Sequence, residues 1–182
     1  IDSIGGKEAA EKRLDEMFRR LDASYGDEWF ASGNEPSFQI PWIYNWAGAP
    51  YKAQQVIRRI LNEQYSSRVN GLPGNDDLGS MGAWYVFASI GLFPEIPGVG
   101  GFSVNSPVFR KIVLHLPEGD VIIKGGDEKK EYIHSLSLDG KKMEGTWIDW
   151  SDLYRGATLE YKLSGKPEKT WVTRRAPPSY GK

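Results

Sequence analysis

The sequence predicts an α+β chain, with a helical lobe over residues 1–100 followed by an antiparallel β lobe over 101–182. Three observations carry that expectation. Apolar residues recur at helical spacing in the first half. Short β-type runs broken by turn residues fill the second half. Between them stands PEIPGVGG (94–101), rich in Pro and Gly.

The first helix is expected in KEAAEKRLDEMFRRLDA, where Leu14, Met17, Phe18 and Leu21 fall at i, i+3, i+4 and i+7 on one stripe. SGNEPSFQIPWIYNWAG follows, interrupted by Pro36 and Pro41, and reads as a loop feeding a short helix that carries Trp42, Tyr44 and Trp46. PYKAQQVIRRILNEQY is the next helix: Pro50 suits its first turn, and Val56, Ile57, Ile60 and Leu61 face a core. SMGAWYVFASIGLF is apolar on every side and is expected as a buried helix. Strands are expected in FSV, KIVLHL, DVIIKG, YIHSLSL, KKMEGTWI and ATLEYKL, with turns at Pro117-Glu118-Gly119 and Asp139-Gly140. The end, TRRAPPSYGK, is expected to be irregular.

Composition narrows the function. The chain has 182 residues, 40% of them hydrophobic and 13% aromatic, which is globular material able to bury a core. The net charge of −1 offers no basic excess for nucleic acid or anionic lipid. No apolar run approaches the roughly 20 residues of a membrane span. With no cysteine, disulfides, thiolate nucleophiles and zinc fingers are excluded. The first residues, IDSIGGKEAAEKRLDEMF, hold neither an initiator Met nor a signal peptide and enter a helix almost at once, which suggests a start inside a larger protein.

Both histidines, His115 and His134, fall in strand-like runs of the β half, so a Ser-His-Asp triad or a His-rich metal site finds little support. A metal in the helical half would need oxygen ligands, which favours calcium or magnesium. Two loops concentrate polar residues: SGNEPSFQ, with Asn34, Glu35 and Gln39, and GLPGNDDLG, with Asn75, Asp76 and Asp77. Adjacent ionised Asp residues repel unless a cation or a helix N-terminus compensates. One reading is therefore a helix cap, with Asp76 or Asp77 accepting backbone N–H groups ahead of the 79–93 helix. The other is a ligand-facing loop, because one cap needs one acceptor and this loop spends Asn, Asp and Asp. Carboxylates, amides and aromatics at 29, 42, 44, 46, 84 and 85, without His or Cys nearby, form the palette of glycoside hydrolysis.

SGNEPSFQIPWIYNWAGAPYKAQQVIRRI, GLPGNDDLGSMGAWYVFASIGLFPEIPG and FSVNSPVFRKIVLHLP together resemble the closing part of the bacterial exo-α-mannosidases of glycoside hydrolase family 92. YIHSLSLDGKKMEGTWIDWSDLYRGATLEYKLSGKPEKTW resembles the family's C-terminal end, so the resemblance covers nearly the whole chain. It implies that residues 1–100 are part of an (α/α)6 barrel. It also implies a calcium-dependent, inverting hydrolase that removes terminal α-mannose, often α-1,2-linked, from high-mannose glycans or mannan, in a secreted, periplasmic or cell-surface setting in bacteria. By the family's pattern Asp77 matches the general base, supported by Asp76 and Asn75, and Asn34 and Glu35 line the sugar subsite. Calcium is expected near Asp77 and Gln39. Gln54 and Arg58 match a recurrent pattern read as structural. Ser37-Phe38-Gln39 replaces a His-rich stretch and Gly82 replaces Ser. The family's general acid is a Glu expected upstream of Ile1, so this chain, without the N-terminal domains of the same protein, is expected to be inactive. Two other readings remain: a non-catalytic carbohydrate-binding or structural module, and another (α/α)6 enzyme such as a glycoside phosphorylase.

Overall fold

In the computed structural model the described residues are 1–24 and 26–171, so the irregular end expected at 173–182 lies outside them. Four helices come first: α1 (Gly6–Met17), α2 (Ile43–Ala47), α3 (Pro50–Glu63) and α4 (Ser80–Ile90). Eight strands follow: β1 (Leu92–Phe93), β2 (Gly101–Val104), β3 (Lys111–Leu116), β4 (Gly119–Lys124), β5 (Tyr132–Leu138), β6 (Lys141–Lys142), β7 (Trp147–Asp149) and β8 (Ala157–Ser164). The α+β class holds.

Leu14, Phe18 and Leu21 are all buried as their spacing predicts, yet α1 stops before the last two. The reason is competition for its terminal carbonyls. The Phe30 amide donates to Met17 O at 3.1 Å, and Arg59 Nη1 donates to Phe18 O at 2.9 Å. These bonds satisfy carbonyls that a helix end leaves open and turn the chain back on itself. Pro36 and Pro41 each sit in the first positions of a short 3-10 turn, Glu35–Ser37 and Ile40–Trp42, before α2. Pro50 begins α3, whose Val56, Ile57, Ile60 and Leu61 all reach the core.

α4 corrects one expectation. Met81, Trp84, Ala88 and Ile90 are buried, but Tyr85 and Val86 are exposed. One face of this helix is buried among the described residues, while on the other Tyr85 touches only the edge of the chain, against the Tyr65 ring (5.2 Å between centroids), and Val86 stays exposed.

The strands form two sheets. β1, β2 and β7 make a small antiparallel sheet, with Leu92 opposite Val104 and Phe102 opposite Ile148. The stretch 94–100 is thus the connection of a hairpin, β1 to β2, and Gly101 already belongs to β2. The larger sheet has the order β3-β4-β8-β5-β6. All its pairs are antiparallel except β4 with β8, which corrects the expected purely antiparallel lobe. A late strand inserted between two antiparallel neighbours must run parallel to one of them. KKMEGTWI is a second correction. Its two ends are β6 and β7, in different sheets, joined across Glu144-Gly145. Asp139 (φ 48°) and Gly140 (φ 78°) form the tight left-handed turn that Asp-Gly favours.

Two apolar cores result. Leu14, Phe18, Phe30, Trp42, Ile57 and Trp84 fill the helical one; Val104, Ile123, Ile133, Leu136, Ile148 and Leu159 fill the other. Phe87 packs against both. Two buried polar side chains of α3 fasten them together. Gln54 Oε1 accepts the Ile133 amide at 2.8 Å, and Arg58 donates to the carbonyls of Asp127 (2.9 Å), Glu128 (3.1 Å) and Pro107 (3.4 Å).

Candidate active site

α1 and α3 both end, and α4 begins, at the same pole of the helical lobe, because the loops 18–42 and 64–79 meet there. They meet at glycines. A Cβ on Gly33 would lie 2.5 Å from Pro73 O, and one on Gly74 would lie 2.6 Å from Gly33 O. Real side chains do not tolerate such contacts, so the two Gly-Asn pairs, Gly33-Asn34 and Gly74-Asn75, cross as bare backbone. Ser80, the first residue of α4, donates from Oγ to Glu35 Oε1 at 3.2 Å. The two loops that the sequence singled out therefore form one surface.

The two aspartates have different fates. Asp76 Oδ1 accepts the Gly82 amide at 2.9 Å, which is the cap that the sequence offered as one reading. The Asp77 carbonyl accepts the Ser80 amide, but its exposed carboxylate makes no hydrogen bond or ion pair among the described residues. Beyond it, Leu78 takes a left-handed conformation (φ 55°) with its side chain fully exposed, and Gly79 follows at φ 81°. A branched residue at positive φ is uncommon and costs on the order of 1–3 kcal/mol, held here by the capped helix on one side and the glycine crossing on the other.

Beneath this loop Tyr65 stacks on Trp84 (centroids 5.6 Å apart, 6° between planes), and Trp84 Nε1 donates to Phe38 O at 3.0 Å. Burial, and then the charge of Asp76, push the Tyr65 phenol above its ordinary range. Trp42, Tyr44 and Trp84 are core residues, whereas Trp29 and Trp46 are half-buried and Tyr85 is exposed. Asn34 is half-buried and Asn75 exposed, both beside the crossing. Gln39 is exposed and opens the Ile40–Trp42 turn, where its carbonyl accepts the Trp42 amide at 3.1 Å. His115 and His134 are exposed and remote in kind, pairing with Asp120 (2.9 Å) and Glu168 (3.3 Å).

The expected calcium pair, Gln39 and Asp77, does not make a metal centre alone. Calcium takes roughly six to eight oxygen ligands. Among the described residues no three His, Cys, Asp or Glu side chains gather to hold an ion.

Two residues of this region, and one buried carboxylate outside it, were not legible in the sequence. Ser80 and Tyr65 act through partners distant in the chain, and no local pattern marks them. Glu95 is the third: it is buried, accepts Trp46 Nε1 at 3.0 and 2.9 Å, and accepts the Ser103 hydroxyl. Burial raises its carboxyl to about 6, against the downward pull of the Ser103 and Trp46 donors. Its only sequence signal was a carboxylate inside an otherwise apolar Pro/Gly stretch.

Comparison with known proteins identifies the family. The glycosyl hydrolase family 92 catalytic domain matches residues 1–165. A family GH92 alpha-mannosidase from Bacteroides thetaiotaomicron superposes with a TM-score of 0.86 at 33% identity, over 96% of this chain and 24% of its own. A GH92 inverting mannosidase from Bacteroides thetaiotaomicron VPI-5482 gives a TM-score of 0.83 at 27% identity, over 98% of this chain and 27% of its own. An uncharacterized secreted glycosidase of Arthroderma benhamiae is 35% identical over 170 residues, 89% of this chain and 22% of that protein. The chain thus spans about a quarter of the length of these relatives. By the extent of the family match, and with both polar loops falling inside it, the chain belongs to glycosyl hydrolase family 92.

Proposed function

We propose that this chain supplies the water-activating side of the active site of an inverting α-mannosidase acting on terminal α-mannose, α-1,2-linked in the first instance. The observation that carries the reading is the division of labour at residues 76 and 77. Asp76 is committed to α4, which holds the loop still, while the exposed Asp77 carboxylate is left without a partner among the described residues, in a loop joined to Glu35 through Ser80.

In this mechanism Asp77 removes a proton from a water as that water's oxygen bonds to the anomeric carbon. The glycosidic C–O bond breaks, and the leaving oxygen takes a proton from a carboxylic acid on the opposite face, about 6.5–9.5 Å from the base. That acid belongs to a part of the protein outside this chain. Asn34 and Glu35 hydrogen-bond the mannose hydroxyls, and Asn75 and Asp76 fix the base. Calcium would draw on Asp77 and the Gln39 amide oxygen from this chain, and on oxygens from elsewhere in the enzyme; it would hold sugar hydroxyls.

The same reading places the helices in an (α/α)6 barrel. The partly exposed apolar face of α4, with Val86 and the outer side of Tyr85, is where further helices would pack. A secreted, periplasmic or cell-surface setting is supported by the secreted relative. No helix among the described residues is long and apolar enough to cross a membrane.

The test is Asp77→Asn in the full-length enzyme. Mannose release should fall by about 10²–10⁴-fold with sugar binding kept, and chelation should lower wild-type turnover until calcium is restored. Unchanged turnover in Asp77→Asn would instead support a non-catalytic carbohydrate-binding module.

A further inference from the structure

Ser80 reaches an acidic residue of each polar loop at once. Its amide donates to the Asp77 carbonyl, and its hydroxyl donates to Glu35 Oε1 at 3.2 Å. Ser80 is the first residue of α4 and Glu35 the first of the Glu35–Ser37 turn; both are half-buried. A serine at a helix start can also turn its hydroxyl back to the helix's own open amides, and this one turns away to a partner 45 residues distant.

The two backbones are held together without that hydroxyl. One turn further along the same face of α4, Trp84 Nε1 donates to Phe38 O at 3.0 Å. Phe38 in turn closes the 35–38 turn, its amide donating to Glu35 O at 3.0 Å. Gly33 and Gly74 cross as bare backbone, and Asp76 caps α4 at the Gly82 amide. None of these contacts reaches the Glu35 carboxylate. What the Ser80 hydroxyl adds is the direction in which that carboxylate points. Glu35 Oε2 accepts no hydrogen bond among the described residues, so one oxygen is pinned and the other is left for a ligand. A Glu side chain ordered only when the ligand arrives gives up rotamer freedom at that moment, and a pinned one has given it up beforehand.

We propose that Ser80 is a positioning residue for the mannosidase reaction, whose hydroxyl orients Glu35 so that its free oxygen meets a hydroxyl of the substrate. Ser80 therefore acts on substrate binding and leaves the chemical step alone. Its link to Asp77 runs through the backbone amide, which a change of side chain leaves in place. This inference rests on the reading of Glu35 as a sugar ligand and Asp77 as the base.

The experiment is a double-mutant cycle in the full-length enzyme, with kcat and KM measured separately on an α-1,2-mannobiose. Ser80→Ala should raise KM about tenfold and keep kcat within about twofold of wild type. In a Glu35→Ala background the same change should move KM by less than about twofold, because residues acting through one contact are not additive. An unchanged KM in Ser80→Ala overturns the proposal. So does an equal rise in KM in both backgrounds, or a fall in kcat as large as the rise in KM, since either assigns Ser80 to the folding of α4. The readings beneath it fail separately. Glu35→Ala with a wild-type KM removes Glu35 as a sugar ligand, and Asp77→Asn with a wild-type kcat removes Asp77 as the base. A raised KM in Glu35→Ala beside an unchanged KM in Ser80→Ala refutes only the role of Ser80.

Discussion

Asp76 and Asp77 are adjacent in sequence and differ in almost everything that matters. One backbone amide separates their roles, because the Gly82 N–H can be satisfied by only one carboxylate. Glu95 gives the same lesson in reverse: it is a carboxylate with no assigned chemistry whose acidity burial weakens. Its folded pKa of about 6 lies above the 4.5 of a free carboxyl, so the folded state holds the proton more tightly. Stability from this group is therefore complete below pH 4.5 and is lost as pH rises through 6. The loss amounts to about 2 kcal/mol. Urea midpoints measured from pH 4.5 to 6.5 should show that decline in the wild-type chain, and Glu95→Gln should flatten it. An equal slope in both would remove Glu95 as its source.

The element with most to lose is α3. Its apolar stripe was plain in the sequence and is buried in the helical core, but two of its polar residues face the other core. Arg58 is buried, and its guanidinium reaches three carbonyls of the β half; burial lowers its pKa although nearby carboxylates oppose the shift. Removing it leaves those carbonyls without their charged donor. Arg58→Met should cost about 3 kcal/mol, since a hydrogen bond to a charged group contributes roughly 1.5–3 kcal/mol and a stranded buried acceptor adds to the loss. Equilibrium denaturation would check it, and a cost below 1 kcal/mol would mean that water replaces the guanidinium. The Gln54 and Arg58 pattern was read as structural from the sequence, and these bonds are what the structure adds to that reading.

For the whole molecule, the decisive fact is length. The chain is about a quarter of its relatives, and the mechanism proposed above needs an acid on the face of the sugar opposite the base. The isolated 182-residue chain, supplied with calcium, should release no mannose from an α-1,2-mannobiose under conditions in which the full-length enzyme turns over readily. Comparable turnover by the isolated chain would show that it carries its own acid.

The sequence by itself determined the class of the fold, five of the strand positions, the helical stripes and the two polar loops, because these depend on periodicity and on Pro and Gly within a few residues. It left open whether GNDDLG was a cap or a ligand-facing loop, since both readings ask for the same residue types. Tertiary structure commits Asp76 to the Gly82 amide and leaves the Asp77 carboxylate exposed. Only the crossing of Gly33 on Gly74, the Ser80–Glu35 bond and the Asp76–Gly82 cap bring the loops together and give each aspartate a separate environment. Long-range structure also set the parallel pairing of β4 with β8 and the division of KKMEGTWI between two sheets. Each depends on contacts between residues far apart in the chain, where no local spacing records who the partner is.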